Sequence, residues 1–262
     1  MTATDIAAYI GAAAWLPPIA YGIYRWLTKP IVQIAPEMQF ELGFTNLGPI
    51  FNIRLALSAS KMDTIIDRIW VELHHEGGDT HRLAWTGMRE TFSEITDSAG
   101  NKQRVEKDQP AIALKLATPL LTEKIIRFQD LDFHSRLRPI LGALIEHEAY
   151  LKSQNDDYQQ IIMASAQMFK FLEFYRSSFW WKTGKYIIQF VIESRDNAIL
   201  KKEAFSFELE QYDVDALQQN VNLVKVNIEN AVKSSQPDFE PYNVSWAWRI
   251  IPLVKSEDSQ SA

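Results

Sequence analysis

The densest group of potential metal ligands lies in one short polar segment. His74, His75 and His81 occur there with Glu76 and Asp79, which makes three imidazoles and two carboxylates within eight residues. Both groups bind zinc, so a hairpin that brought His75 and His81 together could hold that metal. Adjacent residues of a strand point to opposite faces, however, so His74 and His75 serve one site only if the strand bulges. The spacing matches no metalloenzyme motif, and solvated turn residues are the simpler interpretation.

Other catalytic patterns are absent from the sequence. There is no G-x-S-x-G, no P-loop and no G-x-G-x-x-G. Glu146, His147 and Glu148 fall on a predicted helix, where consecutive side chains fan out by about 100° and cannot converge on one substrate. The chain has no cysteine, which excludes disulfides, thiolate chemistry and cysteine-based zinc sites. We therefore expect a non-enzymatic protein without a cofactor or a bound metal.

Composition and charge limit the class of partner. The chain is 47% hydrophobic and 23% charged, which is enough apolar material for a core. Arg25 and Lys29 against Asp5 give residues 1–30 a charge of +1, so the total of −6 leaves −7 on the remainder. A negative chain without a basic tract is a poor match to phosphate backbones, so nucleic acid is not an expected partner.

A run without charged residues, Ile6–Tyr24, predicts a single transmembrane helix within an anchor formed by residues 1–30. Its 19 residues would measure about 28 Å as a helix, close to the thickness of the hydrocarbon core. Arg25 and Lys29 follow the run, which predicts an N-terminus outside and a cytoplasmic main domain at the inner (plasma) membrane. Pro17 and Pro18 would kink such a span, or divide it into a re-entrant segment.

The same run predicts that the helix associates with another helix. Ala7 and Gly11 form a pair of small residues four positions apart, as do Ala8 and Ala12. Small residues let helix backbones approach closely, and the carbonyl groups freed by the proline pair need partners within lipid. The expected partners are a protein, a second copy of this chain, or both, together with membrane lipid.

Beyond the anchor, alternating patterns predict a mainly β domain over residues 31–255, with a disordered tail over 256–262. Strand patterns with a period of two occur at 38–42, 52–59, 65–73, 81–85, 111–116, 124–128, 186–192, 205–209 and 244–250. Helical spacing of apolar residues indicates an inserted helical hairpin or broken helix at about 138–176 and a further helix at about 215–233. The expected fold is mainly β with α insertions, an immunoglobulin-like β-sandwich behind an N-terminal transmembrane helix.

Two resemblances accompany this fold. The residues Lys182 to Tyr186 (KTGKY), followed by two alternating strands and the turn between them, resemble the closing hairpin of immunoglobulin-like and fibronectin-type sandwiches. That resemblance implies a fold with many binding roles and no particular activity. The stretches WLPP, YRWLTKP and FTNLGPIFN make the layout similar to uncharacterised bacterial membrane proteins with one span and a cytoplasmic β domain. This second resemblance implies no activity either.

Four tryptophans are candidate contacts for a partner protein: Trp180, Trp181, Trp246 and Trp248. Tryptophan is enriched at binding hot spots, although the same residues on alternating strands are more often core. We therefore expect a membrane-tethered interaction module, a sensor, adaptor or scaffold that binds a protein. The alternatives are a membrane effector whose associating span perturbs the bilayer when a ligand is sensed, and a metal-dependent enzyme that uses His74, His75 and His81.

Overall fold

The computed structural model describes residues 14–96, 102–154, 157–201, 203–234, 236 and 238–256. Within this part of the chain the protein has thirteen strands and five helices. The strands are β1 (Ile31–Pro36), β2 (Gln39–Thr45), β3 (Gly48–Ser60), β4 (Thr64–His75), β5 (Thr80–Thr96), β6 (Lys102–Pro110), β7 (Leu114–Leu116), β8 (Leu121–Gln129), β9 (Gly184–Ser194), β10 (Ile199–Leu200), β11 (Ala204–Leu209), β12 (Trp248–Pro252) and β13 (Val254–Lys255). The helices are α1 (Leu16–Leu27), α2 (Leu131–Gln154), α3 (Tyr158–Met163), α4 (Ala166–Ser178) and α5 (Gln211–Lys233).

All thirteen strands belong to one curled sheet. Its main path runs β10-β1-β3-β8-β5-β4-β9-β11-β13, while β2 pairs with both β3 and β12. Only Leu253 separates β12 from β13, so the C-terminal segment joins β2, which lies beside β3 near one end of the path, to β11 near the other. The sheet therefore closes on itself. The mainly β prediction is confirmed, but the predicted sandwich of two facing sheets is wrong, because alternation within a strand is the same in both architectures.

The inner face of the sheet holds the main core. Along β3, Phe51, Ile53, Leu55 and Leu57 point inward and are buried, whereas Arg54 between them is exposed on the outer face. The same core includes aromatic residues of neighbouring strands whose rings contact Phe51 or one another, stacked or edge-on: Phe40, Phe128, Tyr186 and Phe207. Burial of this apolar surface is the main source of stability for a closed sheet.

A second core lies between the helices and one end of the sheet. It is built from Phe44, Phe133, Leu137, Leu144, Leu151, Tyr158, Ile162, Met168, Phe171, Tyr175, Val221, Val224 and Val232. The hairpin that joins β2 to β3 enters this layer, since the hydroxyl of Tyr175 donates a hydrogen bond to the carbonyl oxygen of Asn46 at 2.8 Å. Phe133 of α2 packs directly on Gly48 of the same hairpin. These contacts fix α2 and α4 against the sheet.

The N-terminal helix α1 differs from the predicted membrane span. It has 12 residues, which corresponds to about 18 Å. Among the residues that the structure describes, no helix is long and apolar enough to cross a membrane. The predicted single-pass anchor and inner-membrane location are therefore contradicted. Pro17 and Pro18 lie in the first turn of this helix, where a missing N–H and a fixed φ are favourable.

Part of the polar segment after β5 lies in a strand, which its composition does not predict. Residues 97–109 are almost wholly polar, which predicts a long exposed loop or hairpin tip, but β5 continues to Thr96 and β6 begins at Lys102. The two strands pair from Gly87 opposite Pro110 to Thr96 opposite Lys102. A two-stranded ribbon thus extends from the sheet, and its base borders the outer groove described below.

Candidate functional site

The histidine-rich hairpin between β4 and β5 does not bring its ligands together. His74 Nδ1 lies 3.0 Å from the hydroxyl of Thr80, while His75 Nε2 lies 3.1 Å from the carbonyl oxygen of Thr183. His81 instead stacks on a tryptophan ring. In the described part of the chain no group of three or more histidine, aspartate or glutamate residues could hold a metal ion. The three imidazoles have separate structural partners.

Charge pairing and stacking organise this hairpin. Lys182 donates a hydrogen bond to Asp79, and this bond together with the positive charge of Lys182 holds the pKa of Asp79 below its usual value. His81 lies flat on the indole of Trp180, with ring centroids 3.8 Å apart. Burial lowers the pKa of His81, and this effect outweighs the nearby Asp79 carboxylate, which alone would raise that pKa. Burial also raises the pKa of Tyr186 to about 12.

The four candidate tryptophans do not share one surface. Trp181 is 2% exposed within the main core, and Trp180 packs partly buried beside it. Trp246 packs partly buried on the second core. Trp248 is 39% exposed and lies over Gly43 of β2, where any Cβ would collide with the indole ring. Of the four, only Trp248 offers an exposed aromatic surface.

The remaining candidate residues belong to the N-terminal segment. Ala7, Ala8, Gly11 and Ala12 lie outside the residues that the structure describes. Pro17 and Pro18 lie in the first turn of α1, and the apolar side chains around them that are described are exposed. The predicted helix association stays a prediction.

The outer face of the sheet carries a groove that residue types alone did not reveal. One row of cross-strand neighbours spans it: Ile250 lies opposite Glu41, and Glu41 lies opposite Asn52. Asn52 in turn lies opposite Arg127, and Arg127 lies opposite Gly87 of β5. Directly opposed side chains are about 5 Å apart. The row therefore crosses four strands in the order apolar group (Ile250), carboxylate (Glu41), amide (Asn52) and guanidinium (Arg127).

Three adjoining cavities, which we call the polar, middle and apolar cavities, form this outer groove. The polar and middle cavities share Asn52, Arg89 and Ile125, and the middle and apolar cavities share Ile250. Their volumes are about 220, 200 and 510 Å³. The groove therefore runs from the base of the β5–β6 ribbon to the C-terminal strands.

The polar cavity contains a charge cluster from three strands. Asp108 accepts a hydrogen bond from Arg89 Nε at 3.2 Å and one from Arg127 Nη2 at 2.7 Å. Burial alone would raise the pKa of Asp108, but the bond from Arg89 and the charge of Arg127 outweigh it and hold that pKa below its usual value. Asp108 thus joins the guanidinium groups of two different strands, β5 and β8.

The middle cavity is lined by two carboxylates, Glu37 and Glu41, as well as by the guanidinium groups of Arg54 and Arg89. Glu41 accepts a hydrogen bond from the amide of Asn52 at 3.4 Å, and Glu37 lies 3.6 Å from Arg54. Asn52 itself is 7% exposed and lines both cavities. It therefore separates the carboxylates on the β2 side from the guanidinium groups on β5 and β8.

The apolar cavity lies where β11 and β12 separate. β13 pairs with β11 only at Phe205 and Ser206, whereas β12 pairs with β2, so the facing edges of β11 and β12 have no ladder partner in the described part of the chain. Four outward-facing residues form a stripe along the C-terminal segment, and Tyr212 lies beside it. The stripe consists of Trp248, Ile250, Pro252 and Val254.

Sequence patterns contained a signal for the stripe but none for the polar cavity. From Trp248 to Val254 apolar residues occupy nearly every position, including both those that point inward and those that point outward. A strand that is apolar on both faces exposes one of them unless another layer covers it. Asp108, Arg127 and Gln129 come from strands whose pairing the sequence does not specify, so their convergence had no local signal.

Comparison of the chain with protein-family models, with curated proteins and with solved structures found no match.

Proposed function

We propose that this chain is a non-enzymatic interaction module that binds an extended segment of a protein partner. The observation that carries this proposal is the apolar stripe of the C-terminal segment beside the two strand edges that, among the described residues, face each other without a ladder partner. Ile250 is 65% exposed and Val254 is 59% exposed, although both lie on ordered strands.

The strand edges favour an extended occupant over a helical one. Backbone N–H and C=O groups at a sheet edge are a template for an added strand, which gains affinity from main-chain hydrogen bonds. The apolar cavity of about 510 Å³ lies between the β11 and β12 edges. An added strand would fill this cavity and present alternate side chains to the stripe.

Charges around the cavity favour a partner segment with a basic residue. Glu208 and Glu210 border the cavity with Lys185. Asp213 also borders it but is neutralised by Arg249, whose Nε lies 2.6 Å away. The rim thus carries a net charge of −1, which complements lysine or arginine beside the apolar side chains of the partner.

A peptide selection on the full chain tests this proposal. Random peptides from a displayed library are selected for binding to the wild-type chain. An excess of the free Ile250→Asp variant is present as a competitor, so that peptides that bind elsewhere on the protein are removed. The expected products share an apolar residue at every second position, together with a basic residue. Truncation of a central interface residue typically costs about 2 kcal/mol, so Ile250→Asp should weaken binding of these peptides about thirtyfold.

The matched control is Ile112→Asp, because Ile112 is 81% exposed and lines none of the three cavities. This variant should leave the affinity unchanged. Failure of the selected peptides to converge on an alternating pattern, or equal losses in the two variants, would contradict the proposal.

A further inference from the structure

We propose that Pro252 keeps the apolar cavity open for a partner strand, because the C-terminal segment cannot pair with β11 at this residue. The consequence for binding rests on the proposed function, in which the facing edges of β11 and β12 receive a strand. The opening itself depends only on this chain and can be tested without a partner. One backbone position thereby separates a closed seam in the sheet from a binding groove.

The ladder between β11 and β13 leads to a hydrogen-bonded pair at Pro252 that cannot form. The backbone N–H of Ser256 donates to the carbonyl oxygen of Ala204 at 3.0 Å, so these two residues form a hydrogen-bonded pair. Such pairs occur at every second position of an antiparallel ladder, and the register places Glu208 opposite Pro252 at one of these positions. Proline has no N–H, so position 252 cannot donate to the carbonyl oxygen of Glu208.

The ladder between β12 and β2 gives the same orientation independently. Leu253 donates its backbone N–H to the carbonyl oxygen of Met38 at 2.9 Å, so the backbone groups of Leu253 face β2. Backbone groups of successive strand residues point to opposite sides, so the nitrogen of Pro252 faces β11. Proline in the middle of a sheet removes a ladder bond and is therefore confined to edges. On its β11 side, β12 is consequently an edge strand.

The ladder has no second place to resume, because β11 ends two residues beyond the blocked pair. The next position whose backbone would face β12 is Glu210, which begins α5. Its N–H donates to Asp213 Oδ2 at 3.2 Å, and its carbonyl oxygen accepts the N–H of Val214 at 3.2 Å. Glu208 is therefore the last residue of β11 that could bond to β12, and the blocked pair leaves the cavity of about 510 Å³ between the strands.

The blocked pair also determines what a partner strand meets in the cavity. The backbone groups of Glu208 face it from one side, and those of Ile250 face it from the other, since Ile250 lies two residues before Pro252. In the described part of the chain neither residue has a ladder partner on this side. A partner strand can supply the N–H that Pro252 lacks. An N–H at position 252 would take the same acceptor and compete with the partner.

Restoring the N–H at position 252 of the full chain tests this role. In Pro252→Val the new amide should pair with Glu208, so hydrogen exchange without any peptide should be slowed about tenfold or more, both at position 252 relative to an unprotected amide and at Glu208 relative to the wild-type chain. The selected peptides should bind the variant about tenfold more weakly or worse. Pro252→Ala should act in the same direction, which covers the case in which the valine variant does not fold.

The matched control is Pro36→Val. Pro36 is the last residue of β1 and lines none of the three cavities. Glu37 donates its backbone N–H to the carbonyl oxygen of Arg54 at 2.9 Å, so the nitrogen of Pro36 faces away from β3. β10 pairs with β1 only at Ile31 and Val32, so the new N–H has no ladder partner among the described residues. It should exchange rapidly, and the peptide affinity should stay unchanged.

The outcomes separate this inference from the proposed function. An amide at position 252 that exchanges as fast as the one at position 36 would overturn the role of Pro252 and leave strand addition standing. Slowed exchange with unchanged peptide affinity would also overturn it, because the closed seam would then not compete with a partner. If the selected peptides do not converge, the proposed function fails, whereas slowed exchange at position 252 and at Glu208 still supports the role of Pro252.

Discussion

Replacement of Gly48 by alanine should destabilise the protein through two separable effects. Gly48 begins β3 with φ of +80°, a conformation that L-residues adopt at a cost of about 1–2 kcal/mol. A Cβ there would lie 2.7 Å from the ring of Phe133, whose side chain is fully buried. That ring is held by Phe174 and Tyr175 at centroid distances of 5.0 and 5.5 Å, so it has little room to move.

Overpacking of this kind typically costs about 1–3 kcal/mol, so the total loss for Gly48→Ala should be about 2–5 kcal/mol. Gly78→Ala is the matched control, since Gly78 has φ of +92° but no heavy atom within 4 Å of the point where the methyl carbon of alanine would lie. The control should lose only the conformational part, about 1–2 kcal/mol. Both substitutions restrict the unfolded chain in the same way, so that effect cancels in the comparison.

Urea unfolding followed by tryptophan fluorescence measures both losses, provided that the slope of the free energy against urea concentration is unchanged. Phe133→Leu in the Gly48→Ala background should recover part of the loss, and the double-mutant cycle should show coupling between the two positions. Equal losses for Gly48→Ala and Gly78→Ala, with no coupling to Phe133, would refute the inference that the hairpin packs on α2.

Three further predictions concern buried polar groups. Asp213→Ala should cost about 2–3 kcal/mol, because the side chain of Asp213 is 3% exposed and its loss removes the carboxylate partner of Arg249 and disrupts the capping box of α5. Urea unfolding checks this value against Asp213→Asn, which keeps the shape of the side chain. Burial lowers the pKa of His81 from 6.5 in the folded protein, so the unfolded chain binds a proton at His81 more readily and the free energy of unfolding should fall as pH decreases below 6.5. Between pH 8 and pH 5 this free energy should fall less for His81→Phe than for the wild-type chain. Parallel curves for the two proteins would contradict the lowered pKa of His81. Tyr175→Phe removes the hydrogen bond to Asn46 and should cost about 1 kcal/mol, while a loss near zero would show that this bond does not stabilise the hairpin.

Much of the local structure could be predicted because it depends on neighbouring residues. Alternation at residues 52–59 indicated a strand, and β3 extends over Gly48–Ser60. The patterns at 65–73 and 81–85 indicated two strands, and β4 and β5 pair there as a hairpin. The five-turn apolar spacing near the C-terminus lies on α5, at Gln211–Lys233. In each segment the period of the apolar residues or the turn chemistry was sufficient evidence.

Closure of the sheet could not be predicted in this way. It depends on Trp248–Pro252 pairing with β2, a strand about two hundred residues earlier in the chain. Alternation shows which side chains point inward but not which strand lies beside them. The polar segment 97–109 lacks apolar alternation, so the strand that begins at Lys102 had no signal of this kind.

The N-terminal prediction failed because hydrophobicity was given more weight than the proline pair. Within an apolar run Pro17 and Pro18 suggest a kinked span, but they occupy the first turn of α1. Proline is favourable at that position and unfavourable in a helix interior, so the pair marks a helix start. The tryptophans were likewise chosen by residue type, and only the neighbours of Trp248 showed which of them faces outward.

Hydrogen exchange of the backbone amides tests the central claim most directly. The full chain is compared with and without a peptide from the selection, at saturating concentration. An added strand should slow exchange at least tenfold at the edge-facing amides of Phe207–Leu209 and 248–251, and should leave the β5–β6 ribbon unchanged. Protection confined to other segments, or no change at these two edges while the peptide is bound, would contradict the proposal that this chain binds its partner by strand addition.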